Sequence, residues 1–275
     1  MQRNTKKINK KVLIALLLLS LFAFDVRLKV VQHTFETPKV DSPICIALVA
    51  DLHGCYYGKQ QKTLINAIND ANPDVILLAG DLFDDGISYQ NAEIFLAGIA
   101  EYPTYYVTGN HEYWSHEVEV ILDIVESYGV AILDGEQDLF EINGEAIAIA
   151  GISDPDKALC TQDKTPFSDE LAELGGNINE ELYTILLSHR PERIEEYLQY
   201  PFDLALSGHA HGGQWRIPFH INGVFAPNQG IFPQYAGGLY QFEDMNFIVS
   251  RGLARESTLV PRIFNRPELI FIQLT

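Results

Sequence analysis

The sequence predicts a mixed α/β domain built on two packed sheets. Up to residue 130, short apolar runs alternate with helical stretches about every 30 residues, the mark of right-handed βαβ units. Beyond that point hairpin signals and Gly/Pro turns take over. Polar residues gather just after the apolar runs, at the strand ends where loops of such sheets converge.

A chain of 275 residues fits one large domain, 43–275, behind a short N-terminal extension. Five basic residues among the first eleven precede an apolar run at 12–24, thirteen residues in which only Ser20 is polar. As a helix that run is about 20 Å long, against a hydrocarbon core of about 30 Å. Its length suits a signal peptide or short signal-anchor over residues 1–24. An uncleaved anchor is favoured, because Leu21-Phe22-Ala23 lacks the small residue expected two before a cut. Lysines left on the cytoplasmic side put the domain at the cell membrane but outside the cytoplasm, or in the medium if the segment is cleaved. Residues 25–42 mix charges with Pro38, ahead of Pro43, and read as a linker.

Within the domain, strands are expected at 44–50, 75–79, 104–108, 183–188 and 203–207, and helices near 62–71, 91–101, 117–128 and 192–199. Asn72-Pro73-Asp74 makes the turn into the second strand, and Pro103 breaks the helix before the third. Gly129 ends the helix that follows. Residues 140–143 and 145–150 flank Asn143-Gly144 as a hairpin, and short strands follow from 213 onward.

Composition, 47% hydrophobic and 20% charged, is that of a folded globular protein. Residues 1–30 hold seven of the nineteen Lys and Arg and only one acid, which leaves 12 basic against 36 acidic residues and a net of −24 on the rest. A surface so acidic repels a phosphate backbone, so nucleic acid is not an expected partner. Three cysteines, Cys45, Cys55 and Cys160, make no disulfide framework, and without a CxxC pair no thiolate zinc site is indicated.

The chemistry sits at five strand ends. Asp51-Leu52-His53 follows the first strand, Gly80-Asp81-Leu82-Phe83-Asp84 the second, and Gly109-Asn110-His111-Glu112 the third. Ser188-His189 ends the fourth, and Gly208-His209-Ala210-His211-Gly212 follows the fifth. Five of the eight histidines occupy these positions; His33, His116 and His220 do not. Imidazole, carboxylate and amide oxygen without thiolate form mixed N/O sites suited to Mn²⁺, Fe²⁺ or Zn²⁺, and seven candidate ligands suit two ions rather than one. Gly54 to Lys59 looks like a phosphate-binding loop but is one residue short, with Gln60 where Ser or Thr would hold magnesium.

In this order the blocks resemble the signature of the calcineurin-like metallophosphoesterases: DxH, GDxxD, GNH(D/E), a lone His, and GHxH. The tail, with Ala226 to Tyr240 and Ser250 to Leu269, looks like a membrane-associated bacterial branch of that family. Ala50 and Ala210 depart from the usual serine and threonine, but neither is a ligand position. The resemblance implies a four-layer αββα sandwich with two central mixed β-sheets. It also implies one metal held by Asp51, His53, Asp81 and His211, and a second held by Asp81, Asn110, His189 and His209, with Asp81 shared. His111 would be the general acid facing the leaving group, oriented by Asp84.

Such a pair of cations makes hydroxide available near neutral pH for in-line attack on phosphorus while His111 protonates the departing oxygen. The function expected is a phosphodiesterase or pyrophosphatase acting on an envelope or lipid-linked phosphate. A UDP-2,3-diacylglucosamine-like precursor is one substrate the resemblance raises, although it would need access from the cytoplasmic face. A non-catalytic, metal-containing envelope-binding protein is the alternative, and a protein phosphatase a weaker one. The expected partners are a phosphorylated small-molecule or lipid-linked substrate and, through the N-terminus, the membrane.

Overall fold

The computed structural model describes residues 10–255 and 260–275. Arg3, Lys6 and Lys7 of the basic leader lie outside the described residues.

The apolar run is helix α1 (Lys10–Ala23), in which only Ala23 is buried. No helix among the described residues is long and apolar enough to cross a membrane. Strand β1 (Lys29–Phe35) follows, then β2 (Ile44–Val49), α2 (Lys62–Ala71), β3 (Val75–Ala79), α3 (Gln90–Ile99) and β4 (Thr104–Val107). Helices α4 (Asn110–Trp114) and α5 (Val118–Ser127) lead to β5 (Ala131–Ile132) and the hairpin β6 (Glu136–Ile142) and β7 (Glu145–Ile152). Helices α6 (Lys157–Cys160) and α7 (Phe167–Gly176) precede β8 (Tyr183–Ser188), α8 (Ile194–Tyr197) and β9 (Leu204–Ser207). Five short or late strands complete the chain: β10 (Phe225–Ala226), β11 (Gly230–Ile231), β12 (Gly238–Gln241), β13 (Asn246–Val249) and β14 (Glu268–Leu274).

Two six-stranded mixed sheets form the centre. One runs β1-β14-β2-β3-β4-β5 and the other β12-β13-β9-β8-β7-β6. Alternation along β2 shows how they stack: Ile44, Ile46 and Leu48 face the second sheet, while Ala47 and Val49 face α2, α3 and α5. The outer face of the second sheet packs Ile152 and Leu186 against Phe167 and Leu171 of α7 and Ile194 and Tyr197 of α8. The result is the four-layer αββα sandwich. Each fully buried Leu or Ile contributes about 1.5–3 kcal/mol, so three such clusters hold the sheets rigidly in place.

The linker reading of 25–42 is corrected at β1. This strand pairs in parallel with β14 from Lys29 opposite Glu268 to Phe35 opposite Leu274. Its partner lies near the other end of the chain, so the pairing leaves no local trace beyond alternation among charged residues.

Candidate metal centre

The C-terminal ends of β2, β3 and β4 in one sheet and of β8 and β9 in the other meet at one edge of the sandwich. At the tips Asp51, His53, Asp81, His209 and His211 all have φ between 46° and 64°. Left-handed backbone is strained for most side chains but tolerated by Asp and His, and here it turns each side chain inward at the strand's end. Space is equally tight. A Cβ on Gly80 would come within 2.7 Å of His189 Nδ1, and one on Gly109 within 2.2 Å of Asp81 Oδ1.

Each aspartate spends one oxygen on backbone. Asp51 Oδ1 accepts the His209 amide at 2.8 Å, and Asp81 Oδ1 accepts the His111 amide at 3.0 Å. The other oxygen of each, Oδ2, is buried and without a hydrogen-bond partner, as are His53 Nε2, Asn110 Oδ1 and His211 Nδ1. A buried polar atom left unpaired costs about 1–3 kcal/mol, so five such atoms at one edge fit a site that holds cations between them. Asp81 Oδ2 lies 3.1 Å from His189 Nε2 and 3.5 Å from His53 Nε2, and His209 Nδ1 lies 3.2 Å from His189 Nε2. Ligand-type atoms of Asp51, His53, Asp81 and His211 fall within 4.8 Å of one another, as do those of Asp81, His189 and His209. Asn110 opens α4 beside them. Mixed imidazole, carboxylate and amide donors of this kind fit a divalent transition metal.

Three imidazoles are held by a contact on the far nitrogen, which sets the tautomer of His53 and His189, while His209 Nε2 also lies 3.2 Å from the Arg190 guanidinium. His53 Nδ1 meets Asp84 Oδ2 at 2.9 Å, His189 Nδ1 meets Ala79 O at 2.8 Å, and His209 Nε2 meets Asn228 Oδ1 at 2.8 Å. Each leaves its other nitrogen aimed into the cluster, the usual outer support of a ligating histidine. The protein's own charges split the four imidazoles. Burial pulls His189 down, but the Asp81 carboxylate outweighs it and raises the ring to about 10. Burial also opposes charge on His53, and its Asp84 hydrogen bond with the Asp81 and Asp51 charges raises it. His209 and His211 are held well below their ordinary value by burial, then by the charges of His189 and His53 respectively. Burial raises Asp51; it also opposes Asp81, which His189 nevertheless holds well below the carboxylate range. The carboxylates thus draw positive charge onto the nearest nitrogens, which bound cations would leave neutral.

The expected partner of His111 is corrected. His111 Nδ1 bonds Asp85 Oδ1 at 2.8 Å, whereas Asp84 is 4.0 Å away and turned inward to His53. Neighbouring carboxylates in a turn diverge: Asp84 is 12% exposed and Asp85 41%.

Four supporting residues, Glu112 of the third motif among them, have roles that the sequence reading did not assign. Glu112, fully buried, accepts the amides of Asp81, Phe83 and Gly109 at 3.0, 3.0 and 2.8 Å and ties two of the loops together. Arg190, buried, pairs with Asp154 and donates to Asn228 Oδ1 at 2.8 Å beside His209. A signal for Asp154 existed, since Ser153-Asp154 follows β7 as the other polar pairs follow their strands. His33, His116 and His220 lie in none of the ligand groups, and the three cysteines are unbridged.

Comparison with known proteins agrees with this geometry. The sequence profile of the family described as calcineurin-like phosphoesterase matches residues 45–213. An uncharacterized metallophosphoesterase of Aquifex aeolicus is 30% identical over 261 residues, covering 90% of this chain and 92% of that protein. The uncharacterized metallophosphoesterase YkuE of Bacillus subtilis is 29% identical, covering 78% of this chain and 72% of its own. Phosphodiesterase YaeI of Escherichia coli is 28% identical, covering 85% and 83%.

Proposed function

The chain belongs to the calcineurin-like phosphoesterase family, and on that premise we propose a two-cation hydrolase that cleaves phosphodiester or pyrophosphate bonds in an envelope or lipid-linked phosphate. A metal-dependent phosphoesterase is what the family supplies. The observation that carries the two-cation reading is the set of five buried ligand atoms without a hydrogen bond at the shared strand edge. Asp51, His53, Asp81 and His211 would hold one cation, and Asp81, Asn110, His189 and His209 the other. Bound there, Mn²⁺, Fe²⁺ or Zn²⁺ would lower the pKa of water and neutralise charge on a phosphoryl group.

The chain's own residues supply the rest. His111 stands at the mouth, its side chain 23% exposed, with Trp114 beside it at 4.9 Å between ring centres. Asp85 accepts from Nδ1, so the doubly protonated ring can pass its Nε2 proton to the leaving oxygen and keep the one on Nδ1. Two aspartates balance only half the charge of two divalent ions, so an acidic domain can still present a locally positive site to an anion.

The lipid-linked substrate class draws support from α1, whose Leu17, Leu21 and Phe22 are 60%, 63% and 71% exposed. With the leader lysines on the cytoplasmic side, the domain is extracytoplasmic; cytoplasmic signal from a C-terminal reporter fusion would reject that orientation. For the catalytic reading, the purified chain loaded with each ion should hydrolyse bis(p-nitrophenyl) phosphate. No turnover with any of the three would replace catalysis by a binding role.

A further inference from the structure

A cleft of about 530 Å³ backs onto the loop that carries His209 and His211. Arg216, in its lining, donates to Gly212 O at 3.3 Å. Three cations line it, Lys29, Arg216 and Arg251, with no acid among the lining residues. Arg251 reaches one acid, Glu268, at 3.3 Å. Arg216 spends its donors on Gly212 O and Asn222 Oδ1, and Lys29, opposite Glu268 in the β1–β14 register, shares the charge of that one carboxylate with Arg216 and Arg251. Burial, then the charge of Arg251, lowers both Lys29 and Arg216, the latter to about 10. In a chain whose residues beyond 30 carry a net of −24, three cations sharing the single carboxylate of Glu268 leave this cleft with a net positive charge that suits an anion.

The apolar surroundings narrow the choice of anion. Phe219 on the rim is fully exposed and Ile217 is 49% exposed. Phe264, also in the lining, donates its amide to Ala23 O at 2.7 Å, so the cleft stands at the foot of α1. Hydrocarbon-seeking side chains above a ring of cations reproduce the layering of a bilayer surface, acyl chains and then phosphate.

We propose that this cleft seats the phosphate of an anionic phospholipid headgroup, with α1 and Phe219 entering the acyl region beside it. A free phosphate would satisfy Lys29, Arg216 and Arg251 but leave the apolar rim and helix in water. The inference is independent of catalysis, since none of these residues belongs to the metal cluster.

Co-sedimentation of the full chain with vesicles tests it, using phosphatidylcholine alone and an equimolar mixture with phosphatidylglycerol. Binding to the anionic vesicles should exceed binding to neutral ones and weaken with salt. Lys29→Ala should lower the anionic-to-neutral ratio about fivefold and Lys29→Glu about 25-fold, following the usual effect of a cation at a charged surface. Lys29→Arg should keep the ratio, and an unchanged unfolding temperature identifies variants that remain folded. Phe219→Ser should weaken binding to both vesicle types alike. Equal ratios for Lys29→Glu and the parent would overturn the proposal. So would binding of inorganic phosphate at the cleft by a chain that shows no vesicle preference.

Discussion

The two sheets contribute unlike halves to one site. The first supplies Asp51, His53, Asp81 and Asn110, three of them oxygen donors, together with His111 at the mouth. The second supplies three nitrogen donors, His189, His209 and His211. Support differs as well. The loops of the first sheet are tied by backbone amides converging on Glu112, whereas His209 in the second leans on the Arg190, Asp154 and Asn228 network. The oxygen half therefore carries the negative charge, and the nitrogen half adds imidazole donors of the kind that suit a divalent transition metal.

Asp81 breaks the comparison most severely, because it is the residue common to both ligand groups. Asp81→Asn keeps the shape and removes the charge on an oxygen whose nearest protein partner is the His189 ring at 3.1 Å. Metal content by elemental analysis and phosphodiester hydrolysis should fall together to background. A variant that retained both ions would show that the halves do not depend on a shared carboxylate. Next in size is His111→Ala, which belongs to the oxygen half in space but not in role. It should keep both ions and lose about 10²–10⁴ in turnover, the range of a well-placed general acid. On the nitrogen side, Asn228→Ala removes the oxygen that both His209 Nε2 and Arg190 contact and leaves the Arg190 guanidinium 3.2 Å from that nitrogen. Metal affinity measured by competition with a chelator should drop about 10–100-fold.

The same division explains what could be read from the sequence. Strands such as 75–79 and 183–188 and the helix at 62–71 are local patterns of apolar spacing, and their bounds match the structure. The residues of the seven-member cluster were legible because each sits within a few positions of a strand end. What escaped depends on distant parts of the chain: β1 needs β14, and Arg190 needs Asp154 and Asn228. Helix α7 was passed over too, although Phe167, Leu171 and Leu174 are spaced to bury one face. The choice between Asp84 and Asp85 is not encoded in spacing at all, because only the direction of a turn separates them.

That choice gives the smallest effect and the sharpest separation of roles. Asp84 is turned in toward His53, whose free nitrogen faces the cluster, while Asp85 holds His111 from a more exposed position. Asp84→Asn should therefore act on metal affinity, with turnover at saturating metal little changed. Asp85→Asn should leave affinity alone and lower turnover about fivefold or less, since a solvent-screened pair at the surface contributes at most about 1 kcal/mol. Titrating each variant with Mn²⁺ while recording rate separates the two cases. If Asp84→Asn instead lowered the saturated rate and Asp85→Asn did not, the mouth would be arranged in solution as the motif suggests, with Asp84 on His111.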